Sequence, residues 1–264
     1  MSAVRFPLMI STMSASKKIL RSIAVLVFWL IVWQIAAMVA NRGLIIGIPT
    51  PITTAKALGR LVSKPSFWYG AVSSLGRIVL GFLIAAALGA LCAVLAYKLP
   101  VFKALTAPVL QVIRAVPVAA FIIVVYLWLK DGAIPVFIAF LMVFPLMWSN
   151  TVAGLESIDK KLVEMARVME LSRAKTFRHI VLPAMMPSIS SALITGLGFA
   201  WKSGVAAEVI CRTELSVGNM LWASKTAIDY DEVFALTVVI VILSVGLEAL
   251  LKLLLGRYCV DKNK

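Results

Sequence analysis

Gly196-Leu197-Gly198-Phe199-Ala200-Trp201-Lys202-Ser203 comes close to the G-x-x-x-x-G-K-[ST] pattern that cradles phosphates. Trp201 stands where the second glycine must be, and its bulk would hold a phosphate away from the backbone. The segment also lies in an apolar run instead of between a strand and a helix, so it is no nucleotide site. No Ser/His/Asp, HExxH or paired-carboxylate arrangement offers hydrolytic chemistry. The single histidine, His179, sits among Arg173, Lys175 and Arg178 and reads as a solvated loop residue. Cys92, Cys211 and Cys259 are far apart with no CxxC pairing, which leaves neither a disulfide framework nor a zinc site. No catalytic residue, metal or cofactor is expected, and the chain does not read as an enzyme.

What remains are charges in apolar surroundings. Lys202 falls in the middle of an apolar run, where a lysine costs roughly 2.5–3.5 kcal/mol to insert into a bilayer. It should face either a water-filled route, where it would attract an anion, or a carboxylate of another helix such as Glu208 or Glu248. Lys202 and Glu208 are six positions apart, about 600° around a helix, so the two point to different faces. Arg77 and Arg114 lie nearer the ends of apolar runs, where anchoring or snorkelling accounts for them. Lys202, Glu208 and Arg114 are the candidates for a translocation pathway.

The elements that position these residues follow from composition. Hydrophobic residues make up 62% of the 264 and charged ones 14%, far from the roughly 45–50% and 25% of soluble domains. Yet 26 Lys+Arg against 12 Asp+Glu leave a net charge of +14. A disordered basic tail would be poor in apolar residues. A membrane protein whose positive charge is confined to loops fits both numbers, and nucleic acid is not an expected partner. The basic N-terminus imitates a signal peptide. Its apolar run is long, however, and Ala37-Met38-Val39-Ala40 offers no A-x-A cleavage site, so it reads as a retained anchor.

Six segments are long and apolar enough to span a bilayer, which needs about 20 residues. They are 22–40, 74–96, 105–129, 133–154, 186–210 and 233–255, giving an all-α polytopic fold. Residues 1–21 and 257–264 are then a cytoplasmic N-terminal segment and tail. With the N-terminus inside, sixteen Lys and Arg face the cytoplasm, among them Arg5, Lys262 and Lys264, and seven face outward. The positive-inside rule therefore favours both termini inside. Gly81, Ala85, Gly89, Ala93 and Ala192, Gly196, Ala200, Gly204 form small-residue stripes, read as close packing within one subunit in preference to packing across a dimer.

Two loops carry structure of their own. Outside, Thr50-Pro51 reads as a cap and first turn, with Ile52, Ala55, Leu58 and Leu61 or Val62 on one face. That pattern predicts either a short amphipathic helix on the outer membrane surface or a plain extended loop. Inside, the segment 155–185 predicts two short helices. Asp159 caps one through about Met169, with Leu162, Met165, Ala166 and Met169 on one face. Ser172 caps the other, ended by Pro183. The apolar stripe docks on a partner, on the membrane lipid or on the protein's own helices.

This loop resembles a known pattern. Glu164-Met165-Ala166-Arg167-Val168-Met169-Glu170-Leu171-Ser172, followed by Ile180-Val181-Leu182-Pro183, is similar to the EAA loop of permease subunits in bacterial binding-protein-dependent ABC importers. Glu164, Ala166, Ile180, Leu182 and Pro183 match, Met165 departs, and Glu170 occupies the glycine position. The segment from Ser74 to Phe82, Arg114-Ala115-Val116-Pro117, Ala200-Trp201-Lys202 and Ala207-Glu208 resemble the nitrate/sulfonate/taurine branch.

The resemblance implies a type I importer permease in the bacterial inner membrane, working as a homodimer. It would have two ABC ATP-binding subunits inside and an extracytoplasmic solute-binding protein outside. It also implies that Glu164, Met165, Ala166, Arg167, Met169, Glu170, Leu182 and Pro183 couple the permease to the ATP-binding subunit. A small anion such as a sulfonate, taurine or nitrate would move by alternating access. If the loop glycine supplies a left-handed residue, either the turn is a right-handed variant here or glutamate is tolerated at a cost of about 1–2 kcal/mol. A secondary transporter or channel independent of an ATPase would show paired broken helices or several intramembrane carboxylates. A membrane enzyme would show a polar catalytic cluster, and neither signature is apparent.

Overall fold

The computed structural model describes residues 15–42 and 47–259, and every regular element among them is helical. Residues 1–14 and 260–264, with Arg5, Lys262 and Lys264, lie outside the described residues. Five helices are long and apolar enough to cross a membrane: α1 (Ala15–Ala40), α3 (Pro65–Lys98), α6 (Ala133–Glu156), the run ending in α9 (Leu182–Cys211), and α11 (Tyr230–Cys259). The pair α4 (Pro100–Ala115) and α5 (Val118–Tyr126) passes the same test only when taken together, as a broken span or a re-entrant loop.

The core is a three-helix stack with α6 in the middle. Small residues let the backbones meet. Ala85 and Ala93 of α3 are fully buried, and a Cβ on Gly81 would come 2.2 Å from the Val136 carbonyl oxygen. α9 meets both helices: Gly196 leaves room for Val143 of α6, and Gly204 admits Ile78 of α3. Both stripes are therefore used within the subunit. α3 and α6 run parallel and α9 runs against them. Trp201, 1% exposed, fills the stack and donates its indole N–H to the Ile240 carbonyl of α11 at 3.0 Å. α1 stays at the periphery, tied by Trp33 donating to the Pro49 carbonyl at 3.1 Å.

The span expected at 105–129 is not one helix. Its two halves meet at 101°. Pro117 is the cause: it has no N–H and drives the preceding residue out of the helical region, and Val116 is extended at φ −80, ψ 130. The Pro117 carbonyl then opens α5 by accepting from the Ala120 and Phe121 N–H groups.

Pro183 likewise does not end the second loop helix. The chain runs unbroken from Arg173 to Cys211, through the short α8 (Arg173–Thr176) and a π turn at Phe177–Val181. The wide turn shifts the hydrogen bonds to i→i+5, with Leu182 N–H donating to the Phe177 carbonyl. Its larger radius eases the clash of the Pro183 ring with the preceding turn.

The outer helix exists as α2 (Pro51–Val62), closed by a Thr50/Thr53 capping box. Its buried face is Thr54, Ala57 and Leu61, while Ile52 is 62% exposed. That buried face packs α2 on α11, with Leu61 joining Phe67, Leu236 and Val239. α3 starts nine residues earlier than expected, with Pro65 in its first turn. A further helix, α10 (Val217–Thr226), was not anticipated.

Replacing Gly81 with valine should cost about 1–3 kcal/mol by overpacking against Val136. Thermal unfolding in detergent should show a fall of several degrees, while the same change at Gly76, where a Cβ meets open space, should leave the midpoint in place.

Candidate functional site

Two sets of residues stand out from the scaffold. The first is on the loop. α7 (Lys160–Val168) starts where the Asp159 carboxylate accepts the Lys161 N–H at 2.9 Å. It ends in a complete Schellman motif: Leu171 N–H donates to the Ala166 carbonyl at 3.0 Å and Glu170 N–H to that of Arg167 at 3.1 Å. The C′ residue is Glu170, at φ 53, so the left-handed geometry usual for glycine is kept with a glutamate in place. The anticipated steric cost is therefore incurred. Ser172 then caps α8 by accepting the Lys175 N–H at 3.4 Å.

The four expected stripe residues separate. Ala166 is 1% exposed and turns inward, whereas Leu162, Met165 and Met169 are 45%, 50% and 63% exposed. Glu164 and Arg167 are exposed at the sides of that apolar surface. Behind it lies a cleft of about 530 Å³, walled by Val163, Arg167 and Leu171 on one side and Arg173, Phe177 and Val181 on the other. Leu182 is half-buried and Pro183 exposed where the π turn joins α9. His179 is exposed, as read from its basic neighbours.

The second set is the intramembrane charges, which the structure sorts into three environments. Arg114, at the break between α4 and α5, is exposed and donates to the Pro145 carbonyl at 2.9 Å and to the Ser149 hydroxyl. Both acceptors are neutral, so its charge is oriented but not neutralised. Lys202 is exposed on α9 and, among the described residues, makes no ion pair. Arg77 donates to the Glu214 and Leu215 carbonyls at 3.1 and 3.4 Å, consistent with an anchor at a span end.

Glu208 must be corrected as a pathway candidate, because it is fully buried inside one subunit. Ser74 of α3 donates to its Oε2 at 2.8 Å, and the Gly218 N–H at the start of α10 donates to the same oxygen at 3.3 Å. Val217 N–H in turn donates to the Ser74 hydroxyl at 2.9 Å. The carboxylate thus fastens three helices, helped by the positive end of the α10 dipole. A Cβ on Gly218 would sit 2.4 Å from that of Glu208, so only glycine fits there. Ser74 and Gly218 were missed as partners, although Ser74 opened a segment singled out for its resemblance.

The alternative pairs foreseen for Lys202 are not formed. Glu208 is turned away, and Glu248 pairs with Lys252 at 3.7 Å one turn along its own helix. Neither a group of His, Cys, Asp and Glu fit for a metal ion nor a further intramembrane ion pair occurs among the described residues.

An all-helical membrane scaffold with a capped two-helix loop does not by itself name a family, and comparison does. Residues 85–258 match the family described as the binding-protein-dependent transport system inner membrane component. The chain belongs to that family. This inner membrane permease resembles three named relatives. It is 30% identical to the nitrate import permease protein NrtB of Leptolyngbya laminosa, over 75% of this chain and 71% of that one. It is 27% identical to the taurine transport system permease protein TauC of Escherichia coli K12, over 92% and 90%. The putative aliphatic sulfonates transport permease protein SsuC of Bacillus subtilis 168 is also 27% identical, over 84% and 80%. The permease therefore falls in the nitrate/sulfonate/taurine branch. Its fold matches the crystal structure of an amino acid ABC transporter with histidines, at a TM-score of 0.62 and 18% identity, over 76% of this chain and 97% of that one. Membership implies an ATP-binding partner and a solute-binding partner.

Substituting glycine for Glu170 should relieve the left-handed strain and stabilise the permease by about 1 kcal/mol, a rise of ~2 °C in Tm in detergent. An unchanged or lower Tm would mean that the glutamate side chain compensates for its own backbone cost.

Proposed function

We propose that this permease moves a small anion across the inner membrane by alternating access. It would work as a homodimer, driven from inside by an ATP-binding subunit and supplied from outside by a solute-binding protein. Both termini face the cytoplasm in this reading. The observation that carries it is α7, which offers Leu162, Met165, Val168 and Met169 to solvent on a loop rimmed by charge. Val168 alone is 83% exposed, and an exposed apolar patch of this kind marks an interaction site. Glu164, Arg167 and Glu170 supply charged contacts around that apolar anchor, and Ala166 keeps α7 close to the loop behind it. Leu182 and Pro183 sit where any shift of the loop enters α9.

The anion is inferred from Lys202 and Arg114. Both are charged, both are exposed on one subunit's surface within its spans, and neither meets a carboxylate among the described residues. Arg114 is level with Pro145 of α6. Lys202 lies between Gly196, packed on Val143, and Ala207, packed with Ile138. The two cations therefore differ in height by roughly 7 Å along the bundle. A second copy would close a path over both of them. The solutes named for the relatives, sulfonates, taurine, nitrate and bicarbonate, are all small and anionic or zwitterionic at neutral pH.

Introducing aspartate at Met165 and Met169 together should weaken capture of the ATP-binding subunit by at least about tenfold, measured by co-purification on the tagged permease. Undiminished capture would place the docking surface elsewhere. Lys202→Met should abolish most uptake of labelled taurine, nitrate, bicarbonate or an alkylsulfonate, whichever the whole cell accumulates, without lowering permease abundance. Wild-type uptake would remove the anion route from Lys202.

A further inference from the structure

Glu248 is a half-exposed carboxylate inside span six, an expensive place for a charge that no structural junction needs. Its Oε1 rests against Gly198 of α9, where a Cβ would come within 2.8 Å of it. Lys202 stands one turn further along α9. Side chains on a helix lean toward its N-terminus, so the Lys202 stem leans back over the turn that holds Gly198. Residues four apart on a helix have Cβ atoms only about 5–6 Å from each other, well within a lysine's reach. Glu248 is thus within reach of two lysines. In this structure it is paired with Lys252 at 3.7 Å. Lys252 is 57% exposed and lies toward the inner end of α11, where an ammonium released from the pair can snorkel into water.

We propose that Glu248 is the exchangeable counter-ion of Lys202: it holds the lysine in one state of the permease and Lys252, as in this structure, in the other. The inference rests on the reading of Lys202 as a route residue and adds a competitor for the substrate. An unpaired lysine at that depth would bind its anion tightly and release it slowly. A carboxylate one turn away displaces the anion and resets the site. Ser244, one turn from Glu248 on the same half-exposed face of α11, continues that face toward the outer side. Gly198 is the gap through which the carboxylate reaches across, which gives a small residue at that position a use beyond packing.

The test uses the full chain with its ATP-binding subunit in lipid nanodiscs, nucleotide-free and trapped with ATP and vanadate. A membrane-permeant carbodiimide should join the Lys202 amine to the Glu248 carboxyl in one of the two states, detected as a linked peptide by mass spectrometry. Lys202→Arg and Glu248→Gln should each abolish the product. In transport, Glu248→Gln should lower the KM for the anion and lower kcat, each by about fivefold, because competition and release are lost together. Gly198→Ala, which pushes the carboxylate back, should reproduce that split. A purely structural role for Glu248 would lower the amount of folded permease or raise KM. Absence of the cross-link in both states, with the Lys202→Met defect retained, overturns the exchange and leaves the route reading intact. Wild-type uptake by Lys202→Met overturns both.

Discussion

A bilayer offers no water to its backbone and no hydrophobic drive to bring helices together, so van der Waals approach must hold this permease in shape. The contact on which the rest depends is the seam between α3 and α6, where Gly81 and Gly89 let one backbone lie against the other. That seam sets α6 against α3, and α9 then packs on both, Gly196 on Val143 of α6 and Gly204 on Ile78 of α3. Once the stack is set, the polar groups have few places left to go. Glu208 is enclosed and must find Ser74 and Gly218. Lys202, on the far side of the same helix, is left facing outward.

Proline shapes the elements around this stack in two opposite ways. Pro117 breaks a span, because nothing rescues the extended residue before it. Pro183 does not break one, because the π turn before it absorbs the missing donor and the bulky ring. The difference lies in the preceding backbone, not in the proline. Just before the break, the guanidinium of Arg114 donates to the carbonyl of Pro145, so the bend is held by a residue of α6.

Much of the fold was legible because apolar length and the caps Thr50, Asp159 and Ser172 are local signals. The loop pattern from Glu164 to Pro183 was local too, and it led to the right family. What could not be read depended on neighbours far away in the chain. The buried face of α2 is set by α11, almost two hundred residues later. The fate of Glu208 is set by α3 and α10. α10 itself is short and weakly amphipathic, and only its Ser216 cap, accepting the Asn219 N–H, marks its start. Glu170 was legible in its identity but not in its geometry, since either hand of turn was open until the Schellman bonds were seen.

The unbroken run from Arg173 to Cys211 has a mechanical meaning. At 1.5 Å per residue its 39 residues make a strut close to 60 Å long, more than the thickness of the hydrocarbon core. One end abuts the loop of α7, and the other is bolted through Glu208 to α3 and α10. The wide turn at Phe177–Val181 lies on the loop side of that strut. Loop and junction are thus joined by continuous helix and not by a flexible link, and a stiff strut ties the position of one end to that of the other.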